Sequence, residues 1–85
     1  MKNKLNVYRN LISSGESLEV EFKSDKKILS DKDIYEIVIG LANTKGGYLF
    51  LGIEDNGTIT GLNQSRSSSW QEKIKSAIRN NVIPL

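Results

Sequence analysis

The sequence predicts a small α+β domain, a mixed sheet of three short strands with three helices in the order α-β-α-β-β-α. Three observations point to it. Residues 18–23, Leu-Glu-Val-Glu-Phe-Lys, alternate apolar and charged side chains, the period of a strand with one packed face. Apolar residues recur three and four apart within 4–12, 31–44 and 69–81, the period of helices with one packed stripe. Asn56-Gly57 separates two strand-like runs and is the dipeptide most favoured in a two-residue hairpin loop.

Each element has a local cause. Leu5, Tyr8, Leu11 and Ile12 form the stripe of the first helix, and Ser13-Ser-Gly15 ends it. In the strand at 18–23, Leu18, Val20 and Phe22 face one way and Glu19, Glu21 and Lys23 the other. Ser30 is placed to cap the second helix, with Asp31 and Asp33 in its positively polarised first turn. Ile34, Ile37, Val38 and Leu41 are its apolar stripe, and the glycines of Asn43-Thr-Lys-Gly-Gly47 supply a left-handed stop. The strand at 47–53 is apolar on both faces, which marks a central strand covered twice. A type I′ turn at Asn56-Gly57 leads into a strand at 58–62, with Gly52 and Gly61 where a bulge or a close backbone approach leaves no room for a side chain. Ser69 and Glu72 have the spacing of a capping box for the third helix, whose stripe is Trp70, Ile74, Ala77 and Ile78.

At 85 residues the chain makes one domain with a small core, read as residues 1–85 of a domain that continues beyond the helix exit at Asn-Val-Ile-Pro-Leu85. There is no cysteine and no histidine. Zinc sites of Cys/His type, cysteine nucleophiles, Ser-His-Asp triads and histidine general bases are therefore excluded within the chain. Chemistry here is restricted to carboxylates, lysine, hydroxyls and a hard cation held by oxygen. No apolar run reaches the roughly 18 residues of a membrane span, and the N-terminus lacks a signal-peptide core, so a cytoplasmic location is expected.

The net charge of +2 is unevenly distributed. Residues 1–9 hold three cations and no acid, residues 64–85 four cations and one acid, and residues 10–63 five lysines and nine acids. Basic flanks around an acidic centre suit a polyanion-binding protein whose centre holds metal ions, and equally suit a soluble domain with a patchy surface. Lys23, Lys26, Lys27, Lys45, Arg66, Lys73, Lys75 and Arg79 are the candidates for phosphate contact, each also readable as a solvated charge. The few aromatics fall mostly on predicted core faces, which argues against a stacking platform for single strands.

Glu21 and Lys23 share a strand face, a spacing that serves a metal ion beside a phosphate and serves a surface salt bridge just as well. Asp55 stands in good turn chemistry and needs no catalytic reason to be there. Neither a Walker A nor a Gly-x-Gly-x-x-Gly pattern is present, so ATP binding has no support.

Glu16, the run Leu18–Lys23, and Ile39-Gly-Leu-Ala-Asn-Thr-Lys-Gly-Gly-Tyr-Leu-Phe-Leu-Gly-Ile-Glu-Asp-Asn-Gly-Thr-Ile-Thr-Gly61 together resemble the Schlafen AlbA-like domain. The match runs from about Leu11 to Pro84, and the domain normally continues past that point with further strands. The resemblance implies a nucleic-acid-binding domain of a transcriptional regulator or helicase-like protein, with DNA or RNA as partner and no membrane. It implies as an alternative a metal-dependent nuclease acting on structured RNA, in which Glu16, Glu21 and Asp55 hold Mg²⁺ or Mn²⁺ and Lys23 steadies the developing charge. A weaker alternative is a protein–protein interaction module, docking to a second copy or to domains of its parent protein beyond Leu85.

Overall fold

The computed structural model describes residues 4–81 as three helices and a two-stranded parallel sheet: α1 (Lys4–Ser14), β1 (Val20–Lys23), α2 (Asp31–Ala42), β2 (Tyr48–Leu51) and α3 (Trp70–Asn81). The mixed α+β architecture read from the sequence is the one observed, with most elements a little shorter. The predicted exit at Val82–Leu85 lies outside the described residues.

The two strands are joined by α2, the crossover that a parallel pair requires. Val20 partners Tyr48 and Phe22 partners Phe50, with Glu21–Leu49 and Lys23–Leu51 between and beyond them. Partnered side chains share a face, so Val20, Phe22, Tyr48 and Phe50 point one way and Glu21, Lys23, Leu49 and Leu51 the other. Leu11 and Ile12 of α1 pack on the first face against Val20, Phe22 and Ile53. Over the second face α2 contacts β2 and contributes the buried Ile34. The β1 half of that face stays open, and there Glu21 and Lys23 lie.

Departures from the expected boundaries have backbone causes. The first strand begins at Val20 because Ser17 turns back on it, its amide donating to the Val20 carbonyl at 3.0 Å. Leu18, expected on the packed face, is consequently 95% exposed. α2 stops at Ala42 when the Gly46 amide, at φ +82°, returns to the Leu41 carbonyl. Its other end follows expectation, with the Ser30 hydroxyl accepting from the Asp33 amide at 3.1 Å.

β2 ends at Gly52, whose φ is +92°. The amides of Gly52 and Ile53 both donate to the Lys23 carbonyl, two residues opposite one, which is a bulge. A Cβ on Gly52 would sit 2.6 Å from the Gly61 carbonyl group, so the close approach expected of these two glycines is present.

The hairpin differs from expectation. Among the described residues no non-glycine residue has positive φ, so Asn56 cannot take the first position of a type I′ turn. The Gly57 amide donates instead to the Glu54 carbonyl, Gly57 itself turns left-handed at φ +88°, and the Glu54 amide closes on the Thr58 carbonyl. This is a three-residue hairpin loop with a glycine bulge. The strand expected at 58–62 is reduced to a single bridge between Ile53 and Ile59, because the amides of Thr60 and Gly61 both converge on the Gly52 carbonyl. At α3 the helix starts one residue after Ser69, whose hydroxyl lies 3.5 Å from that of Ser67. Ile74 is the fully buried member of its predicted stripe.

Candidate functional site

The acids and cations singled out from the sequence have three different fates. Glu21 and Lys23 form a salt bridge of 3.3 Å, with both side chains more than one-third exposed. Solvent screening limits such a pair to about 0–1 kcal/mol. They border an open groove of about 330 Å³ between β1 and α2, completed by Leu29, Asp33, Glu36 and Ile37. The lining holds three carboxylates and one ammonium, with Lys32 reaching Glu36 at 4.0 Å from beside it, so the groove is weakly acidic and offers phosphate no net attraction.

Glu16 does other work. Glu19 and Lys23 direct their carbonyls to β2, so Val20 and Phe22 present their amides to the outer edge of β1. The Glu16 carboxylate accepts the Phe22 amide at 2.9 Å, and Ser17 pairs with Val20. Together they close an edge that would otherwise stand open to another strand. Asp55 is exposed in the hairpin loop after β2. Its neighbour Glu54 accepts from the Thr60 hydroxyl at 2.6 Å, and that bond, helped by the Ser24 hydroxyl, holds its carboxyl below the ordinary carboxylate range.

The structure does not gather Glu16, Glu21 and Asp55. Among the described residues no group of three or more Asp or Glu side chains is placed to hold a metal ion. The three acids are thus not a preassembled ligand set: one caps a strand edge, one pairs with a lysine, and one faces solvent on a loop.

The cations divide similarly. Lys26, Lys27, Lys45, Lys73 and Arg79 are exposed and make no salt bridge to any described acid. Lys75 reaches Glu72 at 3.8 Å across one helical turn while remaining largely in solvent. Arg66 is placed quite differently from the surface position expected of a phosphate ligand. Its side chain is 7% exposed, and its Nε and Nη2 donate to the two oxygens of Asp25 at 2.6 and 2.7 Å. Nη2 also reaches the Leu29 carbonyl at 2.7 Å, and the guanidinium lies 3.8 Å over the Trp70 ring. The Trp70 indole in turn donates to Asp31.

Asp25, which the sequence did not bring forward, is the centre of this arrangement. It is 0% exposed and accepts four hydrogen bonds, the other two from the amides of Leu29 (2.9 Å) and Asn63 (2.8 Å). The bonds from Arg66 outweigh the opposing effect of burial and hold its carboxyl down at about 2. The Arg66 guanidinium is correspondingly more basic. Nothing in one-dimensional order links residues 41 apart; the one available hint is a carboxylate just past a strand end, where it can cap the turn that follows.

These features define a class: a small α+β domain on one parallel β-α-β crossover, tied together by a buried Asp–Arg pair and bearing unpaired cations on its surface. The family model described as Schlafen, AlbA_2 matches residues 16–84, and the chain belongs to that family. No curated protein and no solved structure matches it. No described helix is long and apolar enough to cross a membrane.

Proposed function

We propose that this chain is a nucleic-acid-binding domain, the docking or sensing part of a transcriptional regulator or helicase-like protein. The observation that carries the reading is the family match over residues 16–84. It is supported by the surface: Lys27, Lys45, Lys73 and Arg79 are exposed with no salt bridge to a described acid, and Lys26 is exposed with only a longer-range interaction with Glu54, so phosphates can be neutralised without first breaking a salt bridge. A nuclease needs its carboxylates to converge, whereas binding needs no such convergence. The dispersal of Glu16, Glu21 and Asp55 therefore favours binding.

The test is a salt titration of the chain against labelled DNA and RNA. Each phosphate contact contributes about 0.7 to 0.9 to the slope of log K against log salt, so reversing Lys26 and Lys27 to glutamate flattens the slope by about one to two. Binding persists unchanged in EDTA. Absence of binding to any oligonucleotide at low salt overturns the reading.

A further inference from the structure

We propose that Tyr8 and Tyr48, on the α1 side of the sheet, form a stacking platform for the bases of a single-stranded nucleic acid. The inference rests on the nucleic-acid-binding reading and specifies its ligand. Alternation and register put Tyr48 on the same face as Phe22, Phe50 and Val20, where a side chain is expected to be covered. Phe22 and Val20 are buried there, yet Tyr48 is 42% exposed and Tyr8, the α1 residue beside it, is 38% exposed. The rings are nonetheless ordered against each other. Tyr48 stacks on Phe50 with centroids 6.1 Å apart and planes 13° from parallel, and Phe50 meets Phe22 edge-on at 6.2 Å. Tyr8 stands edge-on to both Tyr48 and Phe50, at 6.2 and 6.1 Å. An aromatic row thus runs from the core to the surface and ends in two half-open rings already fixed by their neighbours. A base settling on them immobilises little that is free to move.

Charge selects the occupant. α1 carries Lys4 and Arg9 and no acid. Lys4 lies one turn before Tyr8 and Arg9 directly after it, while Lys45 is three residues before Tyr48 in the turn that leads into β2. All three are exposed and make no salt bridge to a described acid. The opposite face of the sheet offers the reverse, with Glu21, Asp33 and Glu36 around one lysine. Aromatic rings flanked by cations suit a ligand with unstacked bases on a polyanionic backbone, and a duplex keeps its base faces covered. Stacking of this kind is tolerant of base identity, because every base offers a π-face.

The experiment is fluorescence anisotropy with the whole chain at low salt, using a labelled mixed-sequence single-stranded oligodeoxynucleotide and the same strand in a duplex. The proteins are the natural chain, Tyr48→Ala, Tyr48→Leu and Tyr48→Phe, each checked for unchanged circular dichroism; Tyr48→Leu retains apolar cover should the alanine variant fold poorly. Losing one stacked base weakens single-strand binding about fivefold to one-hundredfold in the alanine and leucine variants. Tyr48→Phe keeps the ring and binds like the natural chain, and duplex affinity is the same for all four. Equal single-strand affinity in all four overturns the stacking proposal while leaving the nucleic-acid reading in place. Binding of neither oligonucleotide by the natural chain removes both. A dimer of the natural chain that Tyr48→Leu dissociates also overturns the proposal, because the platform is then covered by a second copy.

Discussion

Replacing Arg66 by methionine is the most severe single change the structure predicts. Methionine keeps much of the volume over Trp70 but removes the two bonds of 2.6 and 2.7 Å to Asp25. The carboxylate then stays at 0% exposure with only the amides of Leu29 and Asn63 as partners. Breaking a buried pair from one side costs about 3–5 kcal/mol. An 85-residue domain is stable by roughly 4–13 kcal/mol in all, so this one change removes a large share of it. Asp25→Asn leaves one acceptor oxygen, turns an NH2 toward donors that bonded the other oxygen, and strands the Arg66 charge with its side chain 7% exposed, so its cost is of the same order. The assay is urea unfolding followed by circular dichroism for the natural chain, both single variants and the double variant, read as a coupling energy. A loss below about 1 kcal/mol in Arg66→Met, the scale of an exposed pair, refutes the claim that these two residues hold the domain together. Acid provides a second reading of the same pair. The Asp25 carboxyl is lowered from 3.8 to about 2 in the folded chain, so its contribution is present above pH 4 and is lost as pH falls from about 4 to about 2. That shift corresponds to roughly 2 kcal/mol. The acid-sensitive component at this site shrinks in Arg66→Met.

Other expectations follow from single contacts. Glu16→Ala frees the Phe22 amide on the outer edge of β1 and lowers stability by about 1 kcal/mol, with Glu16→Gln close to neutral, as measured by urea unfolding. Adding Mn²⁺ leaves the melting temperature of the natural chain unchanged, because the acids do not converge. Gly52→Ala forces a Cβ to 2.6 Å from the Gly61 carbonyl group at a φ of +92°, and costs more than about 2 kcal/mol in the same assay. Thr60→Val removes the hydroxyl that holds the Glu54 carboxyl low, so its titration by NMR moves back up toward 4.5.

The helices were readable because their causes are local. Ser30 caps α2 with its own hydroxyl, the stripe of Ile34, Ile37, Val38 and Leu41 sets its period, and the glycines after it stop the chain. The alternation of residues 18–23 likewise identified a strand and placed Glu21 and Lys23 together on its open face. Three features were not readable, each decided by contacts distant in the chain. Leu18 has the alternation of a core residue but is lifted out when Ser17 pairs back onto Val20. Asn56-Gly57 has the composition of a type I′ turn, yet the strand after it is pulled onto Gly52, and the loop closes with a glycine bulge instead. Arg66 reads as one more surface cation in a serine-rich segment, and only the folded chain brings it to Asp25. For the candidate site, sequence identified the charged residues without their partners. Those partners make Glu16 a strand-edge cap and Lys23 half of a salt bridge.

On the proposed reading, nucleic acid engages the α1 face of the sheet and not the acidic groove opposite. Amide chemical-shift mapping of the isotopically labelled chain, titrated with a short single-stranded oligonucleotide, tests it most directly. Shifts are expected to concentrate at Tyr8, Arg9 and the segment Lys45–Tyr48, with Asp33 and Glu36 undisturbed. Shifts centred on Glu21, Asp33 and Glu36, or none at saturating oligonucleotide, contradict it.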